Sequence, residues 1–101
     1  MYKIQAGPIP MGDGTEIRME GELPFAPVAG HRISVTGNNG AWGSFRVFDA
    51  DWCAELGTGH FDLTVHETAV GSSPSDFAQA FQEIGWNVVD HFSGRRYNRH
   101  E

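Results

Sequence analysis

The sequence predicts an α+β domain, mainly β: a small, strongly bent antiparallel sheet or a five- to six-stranded barrel, with one α-helix before the last strand. Three observations carry this. Apolar and polar residues alternate with period two over several separate stretches, the signature of strands with one wet face. The 13 glycines and 5 prolines fall between those stretches, where turns are needed. A single stretch near residue 80 changes to helical spacing.

The elements follow in order. Tyr2, Ile4 and Ala6 alternate with Lys3 and Gln5, as a short first strand requires. Gly7 to Gly14 is rich in breakers and reads as a loop. From Thr15 to Leu23, Ile17 and Met19 face one side while Glu16, Arg18, Glu20 and Glu22 face the other. Pro24 and Pro27 remove backbone donors, so this segment should turn a corner of the sheet, with Phe25 and Val28 plugging the end of the core. His31 to Thr36 restarts the alternation with Ile33 and Val35 inward, and Gly37-Asn38-Asn39-Gly40 is a turn.

Two long strands, 43–54 and 59–67, then flank a turn at Glu55-Leu56-Gly57-Thr58. In the first of them Phe45 and Val47 share one phase and Phe48, Ala50, Trp52 and Ala54 the other. A slip of one residue turns every later side chain to the opposite face, so a β-bulge is expected near Val47-Phe48. The second strand is regular, with Phe61, Leu63 and Val65 inward. Ser73 as N-cap, Pro74 at the first helical position and Asp76 in the first turn open a helix over 74–84, with Phe77, Ala78, Phe81 and Ile84 on one face. Gly85 ends it, and Trp86 to Phe92 is the last strand.

With 101 residues, 40% apolar and 12% aromatic, the chain has the size and content of one folded domain. Residues 1–94 form that body, and 95–101, with three arginines, read as a flexible basic tail. No apolar run approaches the roughly 18 residues that span a bilayer, and the N-terminus lacks the apolar stretch of a signal peptide. The single Cys53 has no internal disulfide partner, which predicts a reducing, cytoplasmic compartment.

The net charge of −6 is concentrated in the body, where 12 acids face 4 Lys or Arg before residue 95. Such a body repels phosphate backbones, so nucleic acid is not an expected partner, and attracts basic surfaces. The outward strip Glu16, Arg18, Glu20 and Glu22 is the candidate partner-binding surface. A second candidate is the outward row His60, Asp62 and His66, which would hold a metal ion or small ligand with help from His31 or His91. His60 and Asp62 stand about 7 Å apart along a strand, and a compact metal site needs three or four converging ligands. No paired-cysteine, H-E-x-x-H or EF-hand pattern accompanies them. Cys53 follows Asp49 and Asp51, the wrong electrostatic setting for a nucleophilic thiol, and reads as structural.

No catalytic constellation stands out and no cofactor is implied. The expected function is an acidic protein-interaction module of the inhibitor, immunity or phage-accessory kind that docks on a basic macromolecular surface. The alternative is a small-ligand or metal-binding protein, enzyme or not, built on His60, Asp62 and His66. An open sheet edge would also admit a homodimer.

Overall fold

A computed structural model describes residues 1–11, 14–38, 40–70 and 74–96. Six strands and one helix follow in the order β1 (Tyr2–Pro10), β2 (Glu16–Leu23), β3 (Arg32–Thr36), β4 (Trp42–Glu55), β5 (Thr58–Val70), α1 (Pro74–Glu83) and β6 (Asn87–Asp90). They make one strongly curled sheet in the order β3-β4-β5-β1-β2-β6, a half-barrel with α1 against its inner face. The curl does not close, and β3 and β6 are its two edges.

Four of the five strand pairings are antiparallel, and the fifth is not. β1 runs parallel to β5 through Ile4, Gln5 and Ala6, opposite Phe61, Asp62 and Leu63. The sheet is thus mostly antiparallel, as expected, and its one parallel pairing could not be read in advance, because the period-two pattern says which face a residue takes and nothing about which strand lies beside it. β1 also runs on to Pro10, through a segment expected to be a loop. The prolines are tolerated because pairing with β5 ends at Ala6, before Pro8 and Pro10 would owe it an N–H. Pairing with β2 resumes at Ile9 after an irregularity that contains Gly7, whose φ is 132°.

β4 and β5 carry two bulges. The expected one is present: Val47 pairs with Val65 and Asp49 with Thr64, leaving Phe48 as the extra residue. It turns Phe48 outward, 63% exposed, while Val47 and Ala50 both face inward. The second bulge lies on β5, where Glu67 and Thr68 together oppose Phe45.

The core is formed by Ile4, Ala6, Ile9, Ile17, Met19, Leu23, Ile33, Phe45, Val47 and Leu63 from the sheet, closed by Phe77, Ala78, Phe81, Trp86 and Val88. Phe81 stacks on Phe45 with ring centres 5.8 Å apart and touches Phe77 and Trp86 at 5.1 and 5.2 Å. Two glycines let the layers close to this distance. A Cβ on Gly43 would come 2.6 Å from the Phe77 ring, and one on Gly21 would enter the Trp86 ring. Ile84, expected on the buried face of the helix, is half exposed, since α1 ends at Glu83.

The helix ends in a Schellman motif. Trp86 N–H donates to the Phe81 carbonyl and Gly85 N–H to that of Gln82, both at 3.0 Å, with Gly85 at φ 101° and the Trp86–Phe81 ring contact beside it. The proposed N-cap, Ser73, lies outside the described residues. Phe25 and Val28 do not plug the core: they are 39% and 57% exposed, and buried Pro27 lies between them. Phe25 instead meets the His31 ring edge-on. Beyond β6, Asp90 accepts from the N–H groups of Phe92 and Ser93, and the chain folds back so that Arg96 bridges to Val89. Two residues assigned to the tail, Arg95 and Arg96, therefore pack beside β6. Residues 97–101 lie outside the described set.

Candidate functional site

The face turned away from α1 holds most of the polar side chains, and strand register arranges them in rows. Asp51 of β4 lies opposite Asp62 of β5, Asp62 opposite Gln5 of β1, Gln5 opposite Glu20 of β2, and Glu20 opposite Asn87 of β6. This single row crosses five strands and holds three carboxylates and no cation. The neighbouring row pairs Cys53 with His60 and Lys3 with Glu22. Like charges directly opposed on a sheet are destabilising, so the Asp51–Asp62 pair works against the fold that carries it.

These rows frame a groove of about 540 Å³. Polar residues of the outer rows, Lys3, Gln5, Glu20, Glu22, Glu55, His60 and Asn87, line one side of it. Met1, Ile4, Gly21, Gly59 and the helix end, Ile84 to Trp86, line the other, so the groove lies at the end of the sheet and is shared by both faces. His60 Nδ1 stands 4.0 Å from Glu55 Oε1, an ion pair when the imidazole is protonated. Of the predicted strip, Glu20 and Glu22 enter this groove. Arg18 lines a smaller depression beside it, with Gln5, Glu20 and Asp62. Glu16 lies further along β2, opposite Pro10.

The histidine row is not a site of convergence. His60 has Cys53 as its neighbour across the strand, Asp62 has Asp51, and His66 has Arg46. His31 and His91 stand at opposite edges of the sheet, one before β3 and the other after β6. Among the described residues no group of three or more His, Cys, Asp or Glu side chains is placed to hold a metal ion.

A second polar centre lies at the β3 end of the same face. Arg32 and Arg46 are directly opposed across β3 and β4, and the Glu67 carboxylate joins them. Arg32 Nη2 donates to Glu67 Oε1 at 3.2 Å and Arg46 Nε donates to the same oxygen at 2.9 Å. Arg32 Nη1 also donates to the buried Ser44 hydroxyl at 2.9 Å, and Arg46 Nη1 to the Gly30 carbonyl at 2.9 Å. The Arg46 hydrogen bond and charge, with further charge from His66 and Arg32, hold the Glu67 carboxyl below its ordinary pKa. Glu67 adopts φ 51°, the one non-glycine positive φ among the described residues.

Sequence reasoning missed this centre. The turn at 37–40 brings Arg32 and Arg46 onto adjoining strands without fixing their register, and nothing marks Glu67 as their partner, since it lies in a run that reads as ordinary strand. Lys3 and Glu55 were missed for the same reason, since only the pairing of β1 with β5 brings them to the groove. The chain matches no family model, and comparison with curated proteins and with solved structures gives no match either.

Proposed function

We propose that this protein is a small, non-enzymatic, cytoplasmic interaction module of the inhibitor, immunity or phage-accessory type. Its acidic outer face docks on a basic surface of another protein, with the groove between β1, β2 and β5 as the centre of contact. One observation carries the reading. Register sets Asp51, Asp62 and Glu20 in one row, with two carboxylates directly opposed, and stability alone favours no such arrangement. The groove beside that row is edged by the carboxylates Glu20, Glu22 and Glu55, with Lys3, Met1 and His60 beside them, so acidic side chains outnumber lysine there and a basic side chain entering it gains more than an acidic one. No helix among the described residues is long and apolar enough to cross a membrane.

Reversing Glu16, Glu20 and Glu22 to Lys tests the reading. Wild-type protein used as bait in native lysate should hold its partner at about 0.05 M salt and release it at about 0.5 M, as charge-steered interfaces do. The triple variant should hold none at either. A partner retained equally at both salts, one retained by the variant, or no partner at all, sinks the proposal.

A further inference from the structure

The second polar centre supports an inference independent of the acidic face. We propose that Arg32 and Arg46 form a binding site for a phosphate dianion, with Glu67 as a built-in ligand that gives way to it. Of the four Lys and Arg before residue 95, two are set directly opposite each other, a repulsive pairing unless an anion lies between them. The chain supplies that anion from a residue held at φ 51°, a conformation a non-glycine side chain adopts only against a steric cost.

The supply is also incomplete. Two guanidinium groups carry two positive charges, and the one carboxylate between them returns one. Both donors converge on the same oxygen, Oε1, so each guanidinium meets the carboxylate through one nitrogen only and neither pair is bidentate. A phosphate dianion matches the charge and offers three oxygens to the N–H groups the two guanidiniums turn toward Glu67. The site can be reached: the arginine side chains are 34% and 39% exposed, and that of Glu67 55%. The two arginines are also fixed in place without Glu67, since Arg32 is held by Ser44 and Arg46 by the Gly30 carbonyl. Displacing the Glu67 carboxylate therefore leaves the clamp standing, and the Glu67 carbonyl still accepts from Arg32 Nη1 at 3.4 Å. Phe48 and His66, packed edge-on at 5.3 Å, border the site beside Arg46.

The test is a titration of the wild-type chain and of Glu67→Gly, Glu67→Gln and Glu67→Gly/Arg46→Gln with inorganic phosphate at constant ionic strength, followed by amide and guanidinium NMR shifts. Glycine removes the competing carboxylate and accepts the positive φ, so Glu67→Gly should bind phosphate at least tenfold more tightly than wild type. Its shifts should centre on Arg32 and Arg46, and Arg46→Gln should abolish them. Should Glu67→Gly fail to fold, Glu67→Gln carries the same expectation of tighter binding. A parallel titration with a phosphoserine peptide separates a free-phosphate site from a phosphoprotein site. Tighter binding of the peptide assigns the ligand to a modified chain, and equal binding assigns it to the phosphoryl group alone. No gain on removing the Glu67 carboxylate, no loss with Arg46→Gln, or acetate binding as tightly as phosphate overturns the inference.

Discussion

The two ends of the β4–β5 hairpin are built from similar residues and reach different fates. Near α1, Phe45 and Val47 are buried beneath Phe77 and Phe81. Near the turn, Trp52 faces the same side of the sheet and is 54% exposed, resting on Gly59 and against Phe61, which in turn meets Tyr2. Hydrophobicity does not separate the two ends; cover does. A ten-residue helix is about 15 Å long, whereas a 14-residue strand runs about 45 Å before bending. The inner face therefore extends well beyond what α1 can shield, and the length of the helix decides where core gives way to surface.

Phe81→Ala carries the largest expected loss of stability. It removes a fully buried ring that touches three others, and should cost about 3 to 5 kcal/mol in chemical denaturation, a large share of a small domain's stability. Trp52→Ala sharpens the contrast from the other end. A half-exposed ring with one edge-on neighbour should cost about 1 kcal/mol, mostly the aromatic pair and the area over Gly59. If the two losses proved equal, the hairpin tip would be core and the division by helix length would fail.

The smallest effect concerns pH. Because folding lowers the Glu67 pKa, its contribution is present above the unfolded value near 4.5 and is lost as pH falls through the folded one. Wild type should thus lose stability relative to Glu67→Gln as acid is added below that value, read from urea midpoints at each pH. Asp90 is lowered as well, by the N–H groups of Ser93 and then Phe92, but it is common to both chains and cancels in the difference. Parallel pH curves for the two chains would mean that the arginine pair does nothing for the folded state.

Much of this architecture is legible in the residues. Alternation placed Ile17, Met19, Ile33, Leu63 and Val65 inward, the phase change in β4 located the bulge at Phe48, and helical spacing found α1. What failed was information that local pattern does not hold. Partner choice is nonlocal, so the parallel pairing of β1 with β5 was invisible, and with it the meeting of Lys3, Glu55 and His60 at the groove. The Glu67 bulge left no mark, since a glutamate at positive φ is chosen by its surroundings and not by its own preference. Phe25 and Val28 misled because an apolar residue between prolines says nothing about whether anything covers it; here Pro27 is the buried one.

The parallel pairing also has a consequence for how the sheet holds together. Three strands, β3, β4 and β5, form one sub-sheet, and β1, β2 and β6 form another, with the short ladder from Ile4 to Ala6 as the seam between them. The hairpins on either side can form locally, but the seam must wait for residues from opposite ends of the fold to meet, the slow kind of contact in folding. Phe81 spans the seam from above, stacking on Phe45 of β4 and touching Trp86 at the entrance to β6, while Tyr2 of β1 meets Phe61 of β5 at the seam itself. The helix thus rivets two half-sheets that also share one continuous core across the three-residue ladder.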